Sequence, residues 1–265
     1  MIGKKLSGFS RSLRELVAGF LVYIAATSFP LHASDHTERL YADPPIGIAV
    51  YEFPPRLTFK DGKPTGLFID ITEEIMAEAK MPYVFVRVPV GRLYANLRER
   101  SDVVHVWPGM VSAHFLEVGL QIEPTLFDLT RLSLYGLKGN KPPAFGALQN
   151  VTLITMTGYK FGALLQSLET RNANVTVLST PSHISGFRML QAGRAPYVLD
   201  YQDPAGVTLK KLQMYDLEVT SVKEWQTALW VSKKAPQAEA LRKVLAEASK
   251  RIVARRGKDP GATQN

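Results

Sequence analysis

The chain has 265 residues, 46% hydrophobic and 21% charged, the balance of a globular protein long enough for one large domain or two lobes of roughly 100 residues each. It contains no cysteine, which excludes structural disulfides, cysteine nucleophiles and thiolate zinc sites. The net charge is +8, but residues 1–33 hold four basic residues against one acid and so carry +3 of it. The remainder is spread out, apart from Lys250, Arg251, Arg255, Arg256 and Lys258. With no aromatic residues interleaved, that cluster reads as the solvated end of a helix, and no nucleic-acid partner is expected.

Residues 1–33 have the plan of a cleaved signal peptide. Lys4, Lys5, Arg11 and Arg14 form a positive start, Leu16 to Ala26 is an apolar run too short to span a bilayer comfortably, and Ala33 ends a small-residue cleavage site. Export to the periplasm is the expectation. No cysteine follows the apolar run to carry a lipid anchor, and no later stretch is apolar enough for a membrane span.

The stretch from Ile46 to Lys80 holds the clearest local signals. Ile46 to Tyr51 reads as a buried strand and is stopped by Phe53-Pro54-Pro55. Asp61-Gly62 is a turn dipeptide. Asp70 with Glu73 has the spacing of a capping box, and Ile71, Ile75, Met76 and Ala79 fall on one helical face that Pro82 closes off. Further along, Tyr83 to Val88 reads as a strand, Leu93 to Arg98 as a helix and Val103 to Trp107 as a third strand. Strands alternating with helices at this spacing imply a parallel sheet, whose ligands gather at the carboxyl ends of the strands. Tyr51, Phe53 and Trp107 then stand where a ligand is expected, with packing in the core as the alternative for Tyr51 and Trp107.

Leu126 to Leu137 reads as a strand leaving this first unit, and Gly139 to Pro143 as a break. A second series follows: strand Val151 to Met156, a helix opened by Thr157-Gly158-Tyr159-Lys160, and strand Val175 to Leu178. Thr180-Pro181 then starts a helix that ends at Gly193, and a strand from Pro196 ends in Asp200. Glu218 to Val231 reads as one or two strands returning to the first unit. Pro236 to Arg255 reads as an amphipathic helix with Leu241, Val244, Leu245, Ala248 and Ile252 on one face, stopped by Gly257.

Several of these segments carry a resemblance. The aromatic–Pro-Pro corner followed by G-L-F-I-D-I-T-E-E-I-M-A-E-A (Gly66 to Ala79) resembles the start of the bacterial extracellular solute-binding proteins of family 3. The helix-start segment T-G-Y-K-F-G (Thr157 to Gly162), Q-A-G-R-A-P-Y-V-L-D (Gln191 to Asp200) and A-L-W-V-S-K-K-A-P (Ala228 to Pro236) resemble later segments of that family, in its order. The resemblance implies an α/β, two-lobed periplasmic-binding-protein-like fold. Each lobe is a mostly parallel sheet flanked by helices, and two crossover strands form the hinge. Residues 34–130 and 220–265 would form lobe I and residues 131–219 lobe II. It implies a monomeric receptor that closes on a small-molecule solute and delivers it to the membrane subunits of an ABC importer, without cofactor, metal or catalysis. A dehydratase-like enzyme on the same fold and a sensory co-receptor are the alternatives.

The site that follows is Tyr51, Phe53, Arg92, Trp107, Gly158, Tyr159, Lys160 and Asp200. Gly158, Tyr159 and Lys160 would present a helix start and a positive charge to an anion, and Asp200 would hold a cationic group. One departure stands out. Where amino-acid receptors of this family carry an arginine that grips the α-carboxylate, this chain has Leu116 and Glu117. Arg92 or Lys160 is the available substitute; otherwise the ligand is not a standard α-amino acid.

Overall fold

A computed structural model describes residues 45–99, 103–159 and 161–258; the expected leader and Lys160 lie outside the described residues. The chain runs β1 (Ile46–Val50), β2 (Thr58–Lys60), β3 (Lys63–Thr65), α1 (Leu67–Glu78), β4 (Tyr83–Arg87), α2 (Val90–Glu99), β5 (Val106–Met110), α3 (Ala113–Val118) and β6 (Gly119–Gln121). It continues through β7 (Thr130–Leu137), β8 (Val151–Met156), α4 (Leu164–Thr170), β9 (Val175–Thr180), α5 (His183–Gln191), β10 (Tyr197–Tyr201) and α6 (Gln202–Leu212). β11 (Leu217–Trp225), β12 (Thr227–Ser232) and α7 (Ala238–Lys258) complete it.

Two five-stranded sheets organise the molecule. The first has the order β4-β1-β5-β12-β6 and the second β11-β7-β10-β8-β9. β1 pairs in parallel with β4 and β5, and β8 in parallel with β9 and β10. Parallel neighbours need a crossover, and α1, α2, α4 and α5 supply it. β12 and β7 run antiparallel to their neighbours, which makes both sheets mixed.

β1 is buried along its whole length. Gly47 is required there: a Cβ would lie 1.9 Å from the Val103 carbonyl oxygen, and its N–H donates to Nδ1 of His105 at 2.9 Å. The Asp61-Gly62 turn closes the β2–β3 hairpin with both residues at positive φ, which suits the twist of a two-residue hairpin. α1 buries Phe68, Ile71, Ile75 and Met76 on one face and packs against α7, whose Leu241, Leu245, Ala248 and Ile252 are buried.

The local readings needed correction in several places. α1 starts at Leu67 with Gly66 as N-cap, so Asp70 lies exposed in the first turn and complements the helix dipole without capping. β5 begins at Val106, three residues later than expected. Trp107 therefore sits within the strand, fully buried and stacked on Trp230 at 6.2 Å, rather than at a ligand-facing strand end. Thr180 completes β9, and Ser182 caps α5 by accepting from the Ser185 N–H. β11 pairs with β7 along its length, so the chain leaves the second sheet only at Gln226. α7 runs past Gly257 to Lys258. α6 had no expectation; its Pro204 falls in the first turn, where a proline is tolerated.

The two connecting segments, before β7 and between β11 and β12, lie against each other. The hydroxyls of Thr130 and Thr227 are 2.8 Å apart and buried, and the Thr125 hydroxyl donates to the Thr227 carbonyl.

Candidate functional site

The carboxyl ends of β1 and β5 face those of β8 and β10 across a cleft with two parts. The inner part is a cavity of about 90 Å³. Its walls come from Tyr51, Phe53 and Gly109 on one side and from Gly158, Tyr159, Phe161 and Tyr201 on the other, with Tyr94 and Phe115 at its edge. The outer part is a chamber of about 500 Å³ bordered by Glu52, Arg87, Thr157, Ser182 and His183. Tyr51, Val90 and Tyr159 belong to both.

No Asp, Glu, Lys or Arg lines the inner cavity among the described residues. Two of its hydroxyls, those of Tyr51 and Tyr159, are engaged by neighbouring groups. Tyr51, at the end of β1, donates to the Pro108 carbonyl at 2.7 Å, and burial pushes its phenol well above the usual range. The Tyr159 hydroxyl lies 3.3 Å from Nε2 of His183 and 3.4 Å from the Glu52 carbonyl, so it bridges the cleft. The rings brace one another: Phe53 meets Tyr201 edge-on at 5.4 Å, and Phe161 stands perpendicular to Tyr159 at 5.7 Å.

Asp200 is fully buried and lines neither part of the cleft. Its Oδ2 is 2.7 Å from Nδ1 of His183, and its Oδ1 accepts the Tyr201 N–H at 2.8 Å. Burial raises its carboxyl above the ordinary range, and the hydrogen bond and charge of His183 oppose that. The outcome is a chain, Asp200–His183–Tyr159, that ends at the cavity wall. His183 carried no local signal in the sequence, because its partner lies on the next strand, seventeen residues on.

Gly158 has φ +85° and lies against Gly91 of α2. A Cβ on Gly158 would be 2.6 Å from the Gly91 Cα and 2.8 Å from its nitrogen. The two backbones touch there, which only glycines allow. Arg92, one residue on, is exposed and borders neither part of the cleft. Leu116 is half exposed, and Glu117 accepts the Tyr94 hydroxyl at 2.5 Å, so neither faces the cavity.

Arg56, which sequence reasoning passed over, ties the two sides together. Its guanidinium pairs with Asp203 in the first turn of α6 at 3.0 Å, donates to the Leu129 carbonyl at 3.0 Å, and lies 5.7 Å from the Phe68 ring. A basic residue after two prolines has no periodic signature, so only the tertiary structure reveals the contact.

This architecture defines a class: the chain has the mixed α/β, two-lobed fold of periplasmic binding proteins. Among solved structures it is similar to holo ArgBP from T. maritima, with 16% identity over 81% of this chain and 91% of that one and a TM-score of 0.62. A histidine kinase sensor domain with similarity to periplasmic binding proteins matches with 16% identity over 81% and 92% and a TM-score of 0.64. The substrate-binding protein of an amino acid ABC transporter matches with 18% identity over 79% and 93% and a TM-score of 0.60. No family model matches the chain, and no curated protein is similar to it in sequence.

Proposed function

We propose that this chain is a solute-binding receptor that traps a small organic molecule by hinge closure. The observation that carries the reading is the inner cavity, whose aromatic walls come from both lobes, which touch where Gly91 meets Gly158. The lobes proposed are, among the described residues, 45–129 with 226–258, and 130–225, hinged at the Thr130–Thr227 contact. Tyr51, Phe53, Gly158 and Tyr159 form the binding surface, with Asp200 acting through His183. Closure removes water and strengthens each polar contact inside.

The receptor is exported to the periplasm, where removal of the leader leaves an N-terminus near Ser34. Mass spectrometry of the periplasmic fraction checks this; an intact Met1 in a membrane fraction contradicts it. As a monomer, it hands its ligand to the membrane subunits of an ABC importer, a role supported by its likeness to an amino acid transporter's binding protein. The likeness to a kinase sensor domain favours a second reading, a sensory co-receptor. Co-purification with a permease or with a kinase separates the two.

The ligand is not a standard α-amino acid. A zwitterion drawn into the cavity needs a cation for its carboxylate; Leu116, Glu117 and Arg92 do not provide one, and among the described residues no lysine or arginine lines the inner wall, Lys160 lying outside them. Thermal-shift and calorimetric titration of the full chain against the common amino acids should show no shift. A true ligand at about 100 times its Kd should stabilise the fold by roughly 2.7 kcal/mol and be recovered chemically unchanged. Sub-micromolar affinity for an ordinary amino acid, or steady product formation, refutes the respective half.

A further inference from the structure

Resting on the receptor reading, we propose that the inner cavity is an aromatic cage for a methylated ammonium group, so that the solute is a quaternary or tertiary amine whose polar tail extends into the outer chamber. The walls include five electron-rich aromatic rings: Tyr51, Phe53, Tyr159, Phe161 and Tyr201. They are inclined to one another, at 62° between Phe53 and Tyr201, 63° between Tyr159 and Tyr201, 90° between Tyr159 and Phe161 and 39° between Phe161 and Tyr201. Inclined rings enclose a rounded head. A flat aromatic solute would instead need two parallel faces. The volume of about 90 Å³ suits a compact head and leaves the rest of the molecule for the larger chamber.

The charges and hydrogen bonds select further. A primary ammonium brings three N–H donors that each need an acceptor, and several acceptors around the cavity are in use. The Thr130 and Thr227 hydroxyls hold each other, and both Asp200 oxygens are taken by His183 and the Tyr201 backbone. A methylated ammonium carries few or no such donors, and its diffuse charge is satisfied by ring faces. Among the described residues an anion finds no lysine or arginine in the wall. The field also has the right sign. Asp200 lies directly behind Tyr201 and His183, and after burial its charge is the largest influence holding the Tyr159 phenol far above its usual range.

The test is calorimetric titration of the full chain with choline and with its uncharged carbon isostere, 3,3-dimethylbutan-1-ol, beside a broad thermal-shift screen. Choline should bind at least about tenfold more tightly than the isostere, because only the charge differs. Y201F, which keeps the ring, should retain choline binding within about threefold, and Y201L should lose at least about tenfold. Equal binding of the two probes overturns the cage and leaves an apolar pocket. If neither probe binds but another solute in the screen stabilises the chain, the cage is wrong and the receptor reading stands. If no solute of any kind stabilises it, the receptor reading falls as well. The wild-type comparison decides the matter even where Y201L fails to fold.

Discussion

Replacing His183 with alanine will destabilise the fold by about 3–5 kcal/mol near neutral pH, the usual cost of leaving a buried charge without its partner. Asp200 is fully buried, and its Oδ2 has His183 as its hydrogen-bond partner. Without the imidazole, one backbone N–H from Tyr201 remains. The pH dependence has a definite sign. Burial already raises the Asp200 carboxyl, and His183 opposes the rise; removing it lifts the folded-state value further. A carboxyl raised on folding favours the native state below its unfolded value and disfavours it as pH climbs through the folded one. The deficit of H183A should therefore be largest at neutral pH and shrink as the solution is acidified. Urea unfolding at about pH 7.5 and about pH 5 measures it. D200N added to H183A should recover part of the loss at neutral pH, since a neutral amide has no charge to strand. A deficit that is independent of pH and unaltered by D200N contradicts the coupling.

Gly158→Ala should hold the cleft open. The substitution meets two penalties at once. Its φ of +85° costs an L-residue about 1–2 kcal/mol. Its Cβ also falls 2.6 Å from the Gly91 Cα, which is backbone and cannot rotate away. An overpacking cost of about 1–3 kcal/mol follows, unless the lobes separate. Separation relieves the clash but not the backbone strain. Small-angle scattering should then report a larger radius of gyration than the wild type under conditions where the wild type is closed, and ligand affinity should fall by at least about 100-fold. Gly193→Ala is the matched control: φ is +66°, and nothing lies within 4 Å of the added carbon. It should lose a similar amount to strain and keep the wild-type shape. If G158A and G193A behave alike, the Gly91–Gly158 contact does not govern closure.

Elements whose signals are local could be read directly from the residues. β1 is a run of apolar, mostly β-branched residues between a proline pair and a proline corner, and buried strands look like that wherever they occur. The Asp-Gly turn, the apolar stripe of α1 and the amphipathic face of α7 are likewise properties of neighbouring residues.

What the sequence by itself determined, then, is the alternation of strands and helices and the aromatic character of the strand ends. Tertiary structure decided everything that depends on register or on distant partners. A shift of three residues at the start of β5 took Trp107 from the expected wall into the core, because side chains along a strand point to alternate faces and pairing with β1 and β12 fixes which face is which. Asp200 was expected to meet a ligand, but His183 from the neighbouring helix reaches it first, since a buried carboxylate must find a partner before it can remain charged. Arg56 and Asp203, and likewise Gly91 and Gly158, lie far apart in the chain and meet only in the folded tertiary structure. No periodicity encodes such a meeting: the two members of each pair are chosen by the shape of the cleft and not by their neighbours in sequence.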